Sequence, residues 1–179
     1  MSTLLRSFSP VLGLLLLAGC DQQNNSLAVN AAAVVEDGEV KVVADQTTLR
    51  TRFHSLSLER APIHEQDDIR KELALFNDFS VEGVPGAVYL IGKGKDPEGN
   101  CVTTAFRLVQ TAEGLVGPLG DGQAFSSGDT HSCKGQGCSK CVFTRTGGEI
   151  DGCDCERGPA GGWCDHTVTS GDDGPGGST

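Results

Sequence analysis

Six of the eight cysteines fall within 32 positions, spaced Cys133-x4-Cys138-x2-Cys141-x11-Cys153-x-Cys155-x8-Cys164, with His131 and His166 just outside. Apolar side chains are scarce in this stretch: Val142, Phe143, Ile150 and Trp163 are the main ones. Glycine is abundant, with 25 in the chain, and it favours turns over regular elements. A core this small is marginal and needs cross-links or a metal to hold it. The sulfur atoms must therefore bond to one another or to an ion, and the compartment decides between the two.

The N-terminus bears on the compartment. Arg6 precedes an apolar run from Val11 to Leu17, which ends in Leu17-Ala18-Gly19-Cys20. A basic start, an apolar middle and a small-residue exit make a secretory signal peptide, and the apolar run is too short for a membrane span of about 20 residues. The last four residues resemble the lipobox of bacterial lipoproteins. That resemblance covers residues 1–20 and implies cleavage before Cys20, lipidation of its thiol, and an extracytoplasmic protein held at the cell membrane. Asp21 then occupies the position of an inner-membrane retention signal, or is simply the first polar residue of a tether reaching to residue 32. Cleavage would remove Arg6 and no acid, taking the net charge from −10 to −11. So acidic a chain repels phosphate backbones, which argues against nucleic acid as a partner. The membrane, reached through the lipid, and an envelope protein are the expected partners.

Export favours disulfides, because they persist in oxidising compartments. Cys133, Cys138, Cys141, Cys153, Cys155 and Cys164 can form three bonds in 15 connectivities, which spacing does not decide. Cys101 is then the odd one out, expected as a free buried thiol or as a link to another chain. The alternative is zinc held by His131, Cys133, Cys138 and Cys141, since the His-x-Cys and Cys-x2-Cys pairs have ligand spacing. Cys133-x4-Cys138-x2-Cys141 also coincides with the first three ligands of plant-type ferredoxins, but folded export of such a cluster needs a twin-arginine signal that the chain lacks. Cys141 is followed by Val142 rather than His, which excludes a c-type haem.

Elsewhere, Val34 to Val43 reads as a hairpin about Asp37-Gly38, and Val142 to Ile150 as another about Gly147-Gly148. Ala87 to Gly92 and Cys101 to Thr111 read as paired strands. Pro62 to Phe76 is the expected helix, with Ile69, Leu73 and Phe76 on one face and an Asp67–Lys71 pair. Thr47 to Leu58 is ambiguous.

Other chemistry is thin. Ser126 lies in a degenerate GxSxG without the context of a nucleophile elbow, so a flexible loop is expected. His54 and His64 have no partners in sequence, and Asp151, Asp154 and Glu156 do not fit an EF-hand loop. Together these features predict an α+β fold. Residues 33–120 form a small loop-rich domain with one helix and an antiparallel hairpin sheet. A disulfide-rich module at 131–166 and a disordered tail at 167–179 follow. The expected role is a non-enzymatic structural or interaction protein without a cofactor, and the alternative is a metal-binding or redox protein.

Overall fold

The computed structural model describes residues 31–60, 63–112, 114–117, 129–157 and 161–169. Cys20, Asp21, Pro62, Ser126 and most of the expected tail lie outside the described residues.

The chain opens with a hairpin of β1 (Ala33–Glu36) and β2 (Glu39–Val42). Its turn residues, Asp37 and Gly38, both have positive φ, 54° and 78°, as a two-residue turn between twisted strands requires. Helix α1 (Gln46–Arg60) follows. Asp45 caps it, one side-chain oxygen accepting the Thr48 N–H at 2.7 Å. A 3₁₀ turn (Ile63–Glu65) leads into α2 (Gln66–Leu73). Nine further strands follow among the described residues: β3 (Phe76–Val84), β4 (Ala87–Lys95), β5 (Cys101–Arg107), β6 (Val109–Gln110), β7 (Leu115–Gly117), β8 (Thr130–Gln136), β9 (Cys138–Thr146), β10 (Glu149–Arg157) and β11 (Trp163–Thr169).

These strands form three antiparallel sheets. The largest has the order β11-β8-β5-β4-β3, the second β2-β1-β7-β6, and the third is the β9–β10 hairpin. Strand β4 explains the layering. Its residues Ala87 to Gly92 are all buried, so both of its faces are covered. Val88 and Leu90 join Leu49, Phe53 and Leu56 of α1 in the main core. On the opposite face, Ala87, Tyr89 and Ile91 pack with Ile150 and Phe143 of the hairpin. Helices, five-stranded sheet and hairpin are therefore three successive layers.

Two contacts fix the outer layers. Phe53 sits with its ring 4.9 Å from Phe76, 5.4 Å from Phe79 and 5.1 Å from Phe106, centroid to centroid. Gly92 leaves room for it, because a Cβ there would lie 2.6 Å or less from ring carbons of Phe53. On the other side, the Tyr89 hydroxyl donates to Glu149 at 2.5 Å, and Arg107 pairs with the same carboxylate at 2.7 Å.

The expected fold class is thus corrected. Among the described residues the chain is mostly β, with three antiparallel sheets and two short helices, rather than one helix with a hairpin sheet and an appended module. Strands β8 and β11, from the cysteine-rich segment, belong to the main sheet: β8 pairs directly with β5. The expected helix shrinks to Gln66–Leu73 and its 3₁₀ turn, because Phe76 is buried as the first residue of β3. Lys71 pairs with Asp68 at 2.8 Å rather than with Asp67. Among the described residues, no helix is long and apolar enough to cross a membrane.

Candidate functional site

Alternation along the strands delivers the sulfur atoms to one place. On β5, Cys101, Thr103 and Ala105 are buried, and Cys101 lies in a cluster with Cys133, Cys138 and Cys141. On β8, His131, Cys133 and Gly135 are the buried residues. Register places Cys164 of β11 opposite Gly135 and His166 opposite Cys133, so both project toward the same face. The β9–β10 hairpin covers that face. It is tied down by the Thr103 hydroxyl, which donates to the Cys141 carbonyl at 3.0 Å.

Three disulfides result. Cys101–Cys141 and Cys133–Cys153 join the main sheet to the hairpin, with Cα separations of 5.8 and 6.1 Å. Cys138–Cys155 closes within the hairpin, at a Cα separation of 5.6 Å. The disulfide-rich character read from the sequence is therefore present, but the membership differs. Cys101 is bonded, and among the described residues Cys164 is the free cysteine. Its place on β11 explains this: every nearer sulfur already has a partner.

Cys164 is nonetheless surrounded by sulfur. Its Sγ lies 3.3 Å from Cys141 Sγ and 3.5 Å from Cys138 Sγ. The sulfur atoms of Cys101, Cys138, Cys141 and Cys164 all lie within 4.8 Å of one another. Three of the four are buried, and Cys164 is partly so. The backbone of Gly135 runs among them. A Cβ at that position would sit 2.6 Å from Cys141 Sγ and 2.9 Å from Cys138 Cβ, and nearer still to Cys101 Sγ. Burial, and then the Asp154 and Asp165 carboxylates, push the Cys164 thiol upward from its usual range, so it stays protonated at neutral pH. Its S–H donates toward the Asp154 carbonyl at 3.5 Å.

Beside the sulfurs lies a histidine pair. His131 and His166 stack with centroids 5.4 Å apart and ring planes 6° apart. Nδ1 of His131 is 3.2 Å from Nε2 of His166, close enough for one ring to donate to the other. Tyr89 and Phe143 flank His131 edge-on at 6.0 and 6.4 Å. Burial, then His166, hold the His131 imidazole below its ordinary pKa, so that ring is neutral.

The sequence-based alternative of His131, Cys133, Cys138 and Cys141 is not the group that converges. Cys133 is bonded to Cys153, and the clustered sulfur set takes Cys101 and Cys164 in place of His131 and Cys133. Cys101 stood outside the dense motif and carried no spacing signal. The Asp151, Asp154 and Glu156 carboxylates are separately engaged, by Thr144 and Thr146, by the Cys155 N–H, and by Lys140 respectively. His64 is exposed and 3.4 Å from Glu65. His54 has its Nε2 buried without a hydrogen-bond partner, and burial, with Arg50 adding to it, lowers its pKa.

The chain matches no protein-family model, and no curated protein or solved structure is significantly similar to it.

Proposed function

We propose that this is a lipid-anchored protein of the bacterial cell envelope, tethered through Cys20 on the extracytoplasmic side and acting as a non-enzymatic structural or interaction protein. The observation that carries the reading is the pair of bonds, Cys101–Cys141 and Cys133–Cys153, which clamp the hairpin layer onto the main sheet. Reducing compartments keep thiols open, so an architecture held in this way suits an exported protein. The lipobox-like Leu17-Ala18-Gly19-Cys20 supplies the matching address. Edge strand β11 supplies an interaction feature: Trp163 and Val168 are 51% and 46% exposed there. Exposed aromatic anchors of this kind serve protein contacts.

The test is detergent-phase partitioning of the full chain and of Cys20→Ser, both made in a diderm bacterial host, with thiol alkylation before and after reduction. The full chain should enter the detergent phase, yield an N-terminal peptide beginning at an acylated Cys20, and expose one alkylatable thiol. Cys20→Ser should remain aqueous. A full chain that stays aqueous, or one whose cysteines are all alkylated without reductant, overturns the reading.

A further inference from the structure

From the convergence of four sulfur atoms around the Gly135 backbone we infer that Cys101, Cys138, Cys141 and Cys164 form a tetrathiolate site for a soft divalent cation, zinc above all, when Cys101–Cys141 and Cys138–Cys155 are reduced.

Geometry is the first support. A Zn–S bond of about 2.3 Å in a tetrahedron sets the sulfurs roughly 3.8 Å apart. Cys164 already stands 3.3 Å from Cys141 and 3.5 Å from Cys138, and no pair in the set exceeds 4.8 Å. Opening Cys101–Cys141 needs only rotation of side chains whose Cα atoms are 5.8 Å apart. Burial is the second support. A structural thiolate site is closed, and only Cys164 of the four retains partial exposure. The third is the glycine. Position 135 is buried in mid-strand, where Gly weakens a sheet, and any side chain there would occupy the space the sulfurs share. The ligands come from three strands, β5, β9 and β11, so an ion would replace the covalent cross-link between sheet and hairpin with a coordinate one.

The chemistry balances with a dithiol as reductant. Each disulfide takes two electrons and two protons from one dithiol, which leaves as its own disulfide. The four ligand thiols, three freed by reduction together with Cys164, lose four protons to solvent as the cation binds, leaving a centre of net charge 2−. Cys155 is released as a fifth thiol and does not ligate. Cys133–Cys153 lies outside the set; where the reductant opens it as well, its two thiols do not ligate. In the oxidised protein Cys164 has no disulfide partner; a bound cation takes the place of its proton.

The site does not depend on lipidation, so its test is run in the Cys20→Ser background. The full chain is reduced with a trialkylphosphine, which becomes its oxide as each disulfide opens, and is titrated with Co(II). One Co(II) per chain is expected, with thiolate-to-cobalt charge transfer and tetrahedral d–d absorption, both displaced by an equivalent of Zn(II). Cys164→Ser should lose that absorption. Because Cys164 is unpaired in the oxidised protein, the oxidised variant must keep the parent circular-dichroism spectrum, which separates ligand loss from misfolding. Cys155→Ser and His131→Ala should retain the signal. Failure of the parent to bind stoichiometrically, survival of the signal in Cys164→Ser, or its loss in Cys155→Ser or His131→Ala each overturns the assignment.

Discussion

Gly135 shows how one missing side chain shapes the thiol centre. Its neighbours on β8, Cys133 and the buried His131, fill the face beneath the hairpin, yet at 135 the face must stay empty for sulfur. Gly135→Ala should therefore cost roughly 1–3 kcal/mol by overpacking. It should also lower the yield of Cys101–Cys141 in disulfide mapping by mass spectrometry. Gly147→Ala is the control. It meets nothing within 4 Å, so only its φ of 61° penalises the change, and the disulfide map should be unaltered. A Gly135→Ala protein with full stability and complete Cys101–Cys141 would show that the sulfurs have more room than their positions indicate. None of this was legible in the sequence. Gly135 sits in a Cys-Lys-Gly-Gln-Gly run with no local signal of a buried strand, and only the register of β8 against β5 and β11 reveals why glycine is needed.

Among the elements, α1 was hidden and the hairpins were plain. Asp37-Gly38 and Gly147-Gly148 are local turn signals, and the strands on either side of them pair as expected. In α1, Leu49, Phe53 and Leu56 do repeat at helical spacing, and Asp45 is a good cap, but Thr47, Thr48 and Thr51 blur the pattern toward strand. Strand β3 was lost for a related reason: Phe76 completes an apparent helical stripe with Ile69 and Leu73. Tertiary packing overrides both, since Phe53 and Phe76 meet in the same aromatic cluster. Removing that contact isolates its contribution. Phe53→Ala should destabilise the protein by about 3–5 kcal/mol, read from the urea midpoint. The hairpin layer and its disulfides should survive, since they pack on the opposite face of β4. A shift under about 1 kcal/mol would mean that α1 is not docked through this ring.

Considered whole, the molecule is three layers held by two kinds of bond. The helical side relies on apolar burial, and the hairpin side on a smaller apolar cluster together with sulfur. Strand β8 was obscure in the sequence because Lys134 and Gly135 are residue types depleted in strands, and pairing with β5 compensates for them. Connectivity was obscure because spacing carries no information about which sulfurs meet. The three bonds should differ in their effect on stability. Cys101–Cys141 spans two layers and a 40-residue separation, whereas Cys138–Cys155 lies inside a hairpin already joined by its ladder. Replacing both cysteines of Cys101–Cys141 by Ala should cost about 2–4 kcal/mol, and the same change at Cys138–Cys155 distinctly less. Thermal unfolding of the two double variants decides it; equal losses would mean that the hairpin depends on its internal bond as much as on its attachment.

The disulfides also divide the chain unevenly. All three begin at Cys101 or beyond, so among the described residues nothing before Cys101 is inside a covalent loop. A protease cutting the exposed Pro97-Glu98-Gly99 turn would leave two fragments held by the β4–β5 ladder and by packing, with no covalent link between them. A cut between Gly147 and Gly148 would leave its fragments joined twice over, through Cys133–Cys153 and Cys138–Cys155. With a lipid on Cys20, the disulfide-bearing half would lose its covalent tie to the membrane after the first cut and keep it after the second.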